Sequence, residues 1–123
     1  MIKARPHIML QGGVTGDAVT LWQTAFPDLT ASDTDGMGLR TLMLGDLTFT
    51  LFDSPPIHKF GPTPSWSMMV DVDTAEAVDN AAAKLGDGGS ILMPADSYEF
   101  AQRFVWVQDR FGISWQIRFG AIQ

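Results

Sequence analysis

The sequence predicts an α+β fold built from two halves, each with one helix among short strands. Three observations predict it. Residues 103–119, RFVWVQDRFGISWQIRF, are rich in β-branched and aromatic residues and form two strand-like runs around a turn. Two other segments carry apolar residues at helical spacing, residues 17–26 and 78–85. A proline-rich stretch, residues 54–64, lies between the halves and predicts a linker.

The first half is predicted to run strand, helix and then a hairpin. Residues 5–11 form the first strand, which two glycines end. Residues 17–26 form an amphipathic helix, and the proline that follows disfavours helical geometry at its last residue. Residues 29–38 are polar and are predicted as a loop or irregular strand. A Gly-Asp turn between residues 39–44 and 47–53 predicts a hairpin.

The second half is predicted to repeat this plan. Residues 65–72 form a strand, and Asp73 caps the following helix, with Glu76 three residues on as in a capping box. Residues 90–93 form a short strand and residues 94–102 a longer loop. The chain then closes with the hairpin described above, whose turn has Asp first and Gly last, the type I preference.

Three segments resemble a known family. WVQDRFGISWQI in the closing hairpin, AVTLWQTAFPD near the start and MPADSYEFAQRF are similar to the PhnB-like branch of the vicinal oxygen chelate superfamily, which includes glyoxalases, bleomycin-resistance proteins and extradiol dioxygenases. This branch is often labelled 3-demethylubiquinone-9 3-methyltransferase-like. The resemblance implies two paired βαβββ modules in a curved mixed sheet. We therefore predict one domain over residues 1–123, with modules at about 4–53 and 65–119 and the linker between them.

The resemblance also implies where a divalent metal would bind in the cup of that sheet. The corresponding positions are His7, Thr50, Gln116 and either Ser65 or Ser67. Catalytic divalent ions are normally held by three His or carboxylate ligands. This set has one imidazole and no carboxylate, so we expect no metal cofactor.

Strand alternation separates a mixed face from an apolar face. The mixed face, with an aromatic wall from the closing hairpin, gives the predicted ligand-binding set: His7, Met9, Thr50, Ser65, Ser67, Met69, Trp106 and Gln116. A few polar groups among apolar walls are usual for a small-molecule pocket. The alternative is an interior filled by its own side chains. The opposite face is predicted to be core: Ile8, Leu10, Leu47, Phe49, Leu51, Trp66, Met68, Val70, Trp115, Ile117 and Phe119. Trp115→Ala should cost about 3–5 kcal/mol.

Composition excludes several classes of function. The chain has no cysteine, which excludes disulfides, thiolate nucleophiles and cysteine metal sites. Its net charge of −6, with eight scattered Lys and Arg, argues against nucleic-acid binding. Its apolar runs are too short for a signal peptide or a membrane span. We expect a cytoplasmic protein with no membrane partner.

Two main function classes follow, a metal-free binding module and an enzyme. The binding module would hold a small cationic or aromatic molecule. The enzyme would be metal-dependent, of lyase, dioxygenase or transferase type, or would use His7, Asp96 or Glu99 as acid or base. A structural role in a complex is the third alternative. The resemblance implies a homodimer whose cups are completed across the interface. It leaves open whether the two chains exchange modules.

The methyltransferase label conflicts with the sequence. Gly12, Gly13 and Gly16 lie between a strand and a helix, but a cofactor loop of that kind belongs to a sheet of βαβ units. This chain is too short and too rich in consecutive strands, so we interpret the glycines as loop residues.

Overall fold

The computed structural model describes residues 1–121, which form two compact units. The first unit comprises Met1–Gly61 and the second begins at Pro62. In each unit the order of elements is strand, helix and three strands. The predicted α+β class and the two βαβββ modules are confirmed.

The first unit is a mixed sheet with one helix. Its elements are β1 (His7–Gln11), α1 (Thr15–Ala25), β2 (Thr30–Ala31), β3 (Leu39–Leu44) and β4 (Leu47–Ser54). The strand order is β1-β4-β3-β2, in which β1 runs parallel to β4 and the other neighbours are antiparallel. The Gly-Asp turn between β3 and β4 is therefore the hairpin that the sequence predicts.

The core of the first unit lies between α1 and one face of this sheet. Trp22 of α1 is fully buried and its ring lies 6.5 Å from that of Phe49. Leu10, Leu42 and Leu51 are also buried, as the alternation along their strands predicts. The opposite face of the sheet carries the polar residues described below.

The start of α1 is held by a carboxylate from β4. Asp53 accepts hydrogen bonds from the backbone N–H of Gly13 at 3.0 Å and from the hydroxyl of Thr15 at 2.9 Å. Arg40 donates from Nε to the same Thr15 hydroxyl at 3.0 Å. The N-cap residue, Val14, has no side chain that can cap, so Asp53 supplies an acceptor from a distant strand. The helix consequently begins two residues before the predicted position.

The second unit repeats the architecture. Its elements are β5 (Ser67–Val72), α2 (Ala75–Gly86), β6 (Ser90–Tyr98), β7 (Ala101–Gln108) and β8 (Ser114–Ala121). The strand order is β5-β8-β7-β6, with β5 parallel to β8 and the other pairs antiparallel. The pairing of β7 with β8 confirms the closing hairpin.

The core of the second unit lies between α2 and the apolar face of β5, β7 and β8. The buried side chains on α2 are Val78, Ala81 and Leu85. The buried strand residues are Met68, Val105, Val107, Trp115 and Ile117. The predicted burial of Trp115 is thus confirmed.

Three predictions about the second unit are wrong. The cap of α2 is Thr74, whose hydroxyl accepts from the backbone N–H of Ala77 at 3.1 Å, and Asp73 stands outside the helix. The predicted loop over residues 94–102 is mostly strand: residues 94–98 belong to β6 and residues 101–102 to β7. Register shifts along β6 accommodate Pro94 on an edge strand. Trp66 precedes β5 and is 47% exposed, so it does not belong to the core.

Between Met1 and Ala121, no helix combines the length and the apolar character that crossing a membrane would require.

Candidate functional site

Each unit has a sheet face that carries hydrogen-bonded polar side chains, on the side opposite its helix. In the first unit this polar face is centred on His7 and Thr50. Direct pairing of parallel β1 and β4 places these residues side by side. His7 Nδ1 lies 2.7 Å from Thr50 Oγ1, and Thr50 is buried while His7 is exposed.

Apolar groups flank this pair. The His7 ring is stacked near Phe52, with centroids 6.3 Å apart and an angle of 26° between the planes. Met9 pairs in register with Phe52 and shares the face. The imidazole is thus oriented by a hydrogen bond at Nδ1 and by an aromatic neighbour. In the described part of the chain, Nε2 makes no hydrogen bond, and the His7 side chain is exposed.

The polar face of the second unit is a network of four side chains on β5, β7 and β8. Trp106 donates from Nε1 to Ser114 Oγ at 2.8 Å. Ser114 Oγ lies 2.6 Å from Ser67 Oγ, and Gln116 donates from Nε2 to Ser67 Oγ at 3.2 Å. The register of β5 and β7 on either side of β8 places all four on one face.

The chemistry of these groups fixes the direction of two of the hydrogen bonds, those donated by Trp106 and Gln116. The indole N–H of Trp106 can only donate, so Ser114 Oγ is its acceptor. Ser114 is 1% exposed, and either serine hydroxyl can donate in the hydrogen bond between Ser114 and Ser67. Ser67 Oγ also accepts from Gln116, and the bond between the two serines uses one of their two hydroxyl protons, so the other is left to donate. Within residues 1–121 the amide oxygen of Gln116 has no hydrogen-bond partner, so the face presents one donor and one acceptor.

An ion pair borders the same face. Asp71 and Arg118 pair in register, and Arg118 donates from Nε and Nη2 to the two carboxylate oxygens at 2.7 and 3.2 Å. The side-chain hydrogen bond from Arg118 holds the pKa of Asp71 below its ordinary value. Met69 lies on this face as well and is 51% exposed.

The structure distinguishes the two serines that the sequence left open. Ser67 is the first residue of β5 and belongs to the network. Ser65 lies before the strand, exposed, with its hydroxyl 2.7 Å from that of Thr63. The predicted site residues therefore fall into three groups. His7, Met9 and Thr50 share the face of the first unit. Ser67, Met69, Trp106 and Gln116 share that of the second, and Ser65 lies outside both.

The proposed acid and base residues from the loop are not part of these faces' hydrogen bonds. Asp96 accepts from the backbone N–H of its neighbour Ser97 at 2.7 Å. Glu99 is exposed in the turn between β6 and β7. Of the three candidates, His7 is the one that lies on a polar face, where Thr50 and Phe52 orient its ring.

The donor atoms do not suit a divalent metal ion. Across residues 1–121, no group of three or more His, Cys, Asp or Glu side chains lies close enough together to hold one. The imidazole of His7 has a threonine hydroxyl as its neighbour, and Gln116 offers a neutral amide oxygen. Zinc, manganese and iron sites in enzymes use more imidazole or carboxylate ligands than this.

Two important residues were not among the predicted ligand-binding set. Ser114 is the centre of the network, and Asp71 pairs with Arg118. Alternation along β8 does place Ser114 on the mixed face with Gln116, and the same alternation along β5 would have placed Asp71 there with Ser67 and Met69.

Comparisons with known proteins agree on a family. The sequence pattern of the family described as 3-demethylubiquinone-9 3-methyltransferase matches residues 17–118. A PhnB protein from Bacillus cereus has a similar structure, with a TM-score of 0.82, 30% sequence identity and coverage of 97% of this chain and 100% of that chain. A search of curated proteins gave no match.

More distant structures share the fold. PA1353 from Pseudomonas aeruginosa has a TM-score of 0.80 at 18% identity, over 98% of each chain. The fosfomycin resistance protein FosX from Listeria monocytogenes, in complex with Mn(II) and 1S,2S-dihydroxypropylphosphonic acid, has a TM-score of 0.69 at 13% identity, over 99% of this chain and 94% of that chain. At these identities the likeness concerns the fold alone.

Proposed function

We propose that this chain, which belongs to the 3-demethylubiquinone-9 3-methyltransferase-like family in the PhnB-like branch of the vicinal oxygen chelate superfamily, binds a small organic molecule without a resident metal ion. The ligand contacts the polar face of a single unit, on the side opposite its helix. Each face combines oriented polar groups with apolar neighbours, which is the usual lining of a small-molecule site.

The observation that carries this proposal is the network around Ser114. Trp106 and Gln116 each donate to one of the two serine hydroxyls, which leaves one serine proton and the Gln116 carbonyl without a partner among the described residues. A face that served only to fill the interior would be expected to satisfy these groups internally. Preorganised donors and acceptors lower the cost of ordering the site when a ligand binds.

The methyltransferase reaction in the family's description is not part of the proposal. Each sheet contains one parallel pair among antiparallel strands, unlike the parallel sheet of a doubly wound cofactor domain. Gly12 and Gly13 precede α1, and the Asp53 carboxylate occupies the position of an acceptor at that helix start.

The competing function is a metal-dependent enzyme, in which substrate or water would complete the ligands around His7. Elemental analysis of protein purified without chelator or nickel resin separates the two functions. We expect less than stoichiometric metal, and no change in melting temperature on adding Zn²⁺, Mn²⁺, Fe²⁺ or Ni²⁺. Near-stoichiometric metal that is lost in His7→Ala would overturn the metal-free proposal in favour of the enzyme.

A melting-temperature screen against small metabolites tests ligand binding itself. A ligand at about 100 times its Kd stabilises the folded state by about 2.7 kcal/mol. We expect such a shift in the wild type and its loss in Gln116→Leu. The control is Gln23→Leu, the same substitution at an exposed position of α1, which should retain the shift. Absence of any shift across the screen, together with no metal, would leave a structural role in a complex.

The proposal includes a homodimer in the cytoplasm, as the family resemblance implies. Light scattering coupled to size exclusion measures the mass directly. A mass of about 27 kDa, twice the 13.4 kDa of the chain, is the expected result. A mass equal to that of one chain would contradict the dimer without affecting ligand binding by the individual faces.

A further inference from the structure

The segment from Pro55 to Gly61, which we call the strap, follows β4 and has little packing to hold it. Every residue of the strap is exposed, including Ile57 at 73% and Phe60 at 65%. Burial of apolar surface therefore contributes little to its position. The position of the strap must therefore depend on hydrogen bonds, because without them little would hold the segment in place.

Gln11, the last residue of β1, supplies those hydrogen bonds. Its Oε1 accepts from the backbone N–H of His58 at 2.8 Å, and its Nε2 donates to the backbone carbonyl of Phe60 at 3.0 Å. One carboxamide thus satisfies a donor and an acceptor of the strap at the same time. In the described chain these are the hydrogen bonds that join the strap to a residue distant in sequence; the bond from Ile57 N–H to the Pro55 carbonyl is internal.

The strap lies at the end of the polar face of the first unit. Gln11 follows His7 and Met9 at alternate positions of β1, so the three side chains share that face. The rings of His58 and Phe60 lie next to each other, with centroids 5.1 Å apart. The clamp by Gln11 consequently fixes an exposed pair of rings at the border of the face.

We propose that Gln11 is a positioning residue, which clamps the strap so that the His58–Phe60 ring pair forms one wall of a ligand site on the polar face of the first unit. This role rests on the proposed function, and it specifies the ligand further as one with an aromatic or other planar part, because flat exposed rings favour stacking. Release of the carboxamide would open the wall. The clamp itself is testable without any ligand, so its failure would not be confused with failure of ligand binding.

Trypsin reports directly on the clamp. The Lys59–Phe60 peptide bond lies between the two backbone groups that Gln11 holds. A protease cuts a segment in its locally opened form, so the rate reports the population of that form. In Gln11→Leu we expect cleavage after Lys59 to be about tenfold faster, since two hydrogen bonds are lost. Gln11→Glu retains the acceptor for His58 N–H and loses the donor, so its rate should be intermediate.

Two controls separate local opening from general destabilisation. Gln23→Leu, which removes a side chain-to-carbonyl bond of α1, should leave cleavage after Lys59 unchanged. Melting temperature and cleavage at Arg103 or Lys84 should also stay at wild-type values in Gln11→Leu. Equal cleavage after Lys59 in wild type and Gln11→Leu would overturn the clamp, and so would faster cleavage at every site with a lower melting temperature. Amide hydrogen exchange gives a second readout, with the N–H of His58 exchanging faster in Gln11→Leu.

Discussion

The indole Nε1 of Trp115 donates a 2.9 Å hydrogen bond to Oδ2 of Asp109, and both residues are buried. The other oxygen of the same carboxylate accepts from the backbone N–H groups of Phe111 and Ile113 at 2.9 and 3.1 Å. One aspartate therefore shapes the turn of the closing hairpin and anchors the largest core residue of β8. Gly112, at φ 91°, completes the turn where a side chain would be strained.

Asp109→Asn should destabilise the protein by about 2–3 kcal/mol. The replacement keeps the shape of the side chain, but its NH₂ group meets one of the N–H donors and leaves that donor unpaired. Denaturation by urea, followed by tryptophan fluorescence, measures the loss. Asp46→Asn, in the exposed turn between β3 and β4, is the matched control and should change stability by less than about 0.5 kcal/mol. Equal stability of both variants would show that the carboxylate does not hold the turn.

Ser114→Ala tests the network of the second unit, and the indole N–H of Trp106 reports the result. The Trp106 indole N–H loses its acceptor, and its hydrogen exchange should become faster by about tenfold. The indole N–H of Trp115, which is bound to Asp109, provides the control within the same NMR spectrum and should exchange as slowly as before. An unchanged Trp106 signal would mean that Ser114 is not its acceptor in solution.

Thr50→Val tests the pair on the first unit's polar face. Valine has the shape of threonine without the hydroxyl, so His7 Nδ1 loses its partner while the packing stays similar. We expect a loss of stability of about 1 kcal/mol and a changed ¹⁵N shift of His7 Nδ1. The His58 ring, whose described neighbour is Phe60, should keep its shifts. Movement of both imidazole signals together would indicate a general change instead of a lost hydrogen bond.

The elements of this fold could largely be predicted from the sequence, because alternation and turn residues act locally. Val105, Val107, Trp115 and Ile117 are buried as their period of two predicts. The failures have physical reasons. Pro94 indicated a loop, yet an edge strand with shifted register tolerates a residue that has no N–H to donate. Trp66 had the composition of a core residue, but β5 begins one position after it.

The candidate site could be predicted in part, and the reason lies in sequence distance. Alternation identified which residues share a face, and so it brought His7 to Thr50 and Ser67 to Gln116. It does not indicate which of those side chains bond to each other. Gln11 and His58 are 47 positions apart, and nothing local to either one indicates a clamp. Such contacts depend on how β1 and β4 pair, which a single sequence does not specify.

Asp71→Asn tests the ion pair through the pH dependence of stability. The hydrogen bond from Arg118 lowers the pKa of Asp71 in the folded state from its ordinary value of 3.8. A lowered pKa means that the unfolded state binds the proton more readily, so the pair contributes stability above pH 3.8. That contribution is lost as the pH falls through the folded-state pKa. The wild type should therefore be more stable than Asp71→Asn at pH 6, and the difference should shrink towards pH 2.

Both residues are partly exposed, at 28% for Arg118 and 62% for Asp71, so the difference should also decrease in 1 M salt. Urea denaturation at several pH values measures it, with Asp28→Asn as an exposed control. A difference that stays constant from pH 6 to pH 2 would show that the charge of Asp71 is not what stabilises this edge of the face.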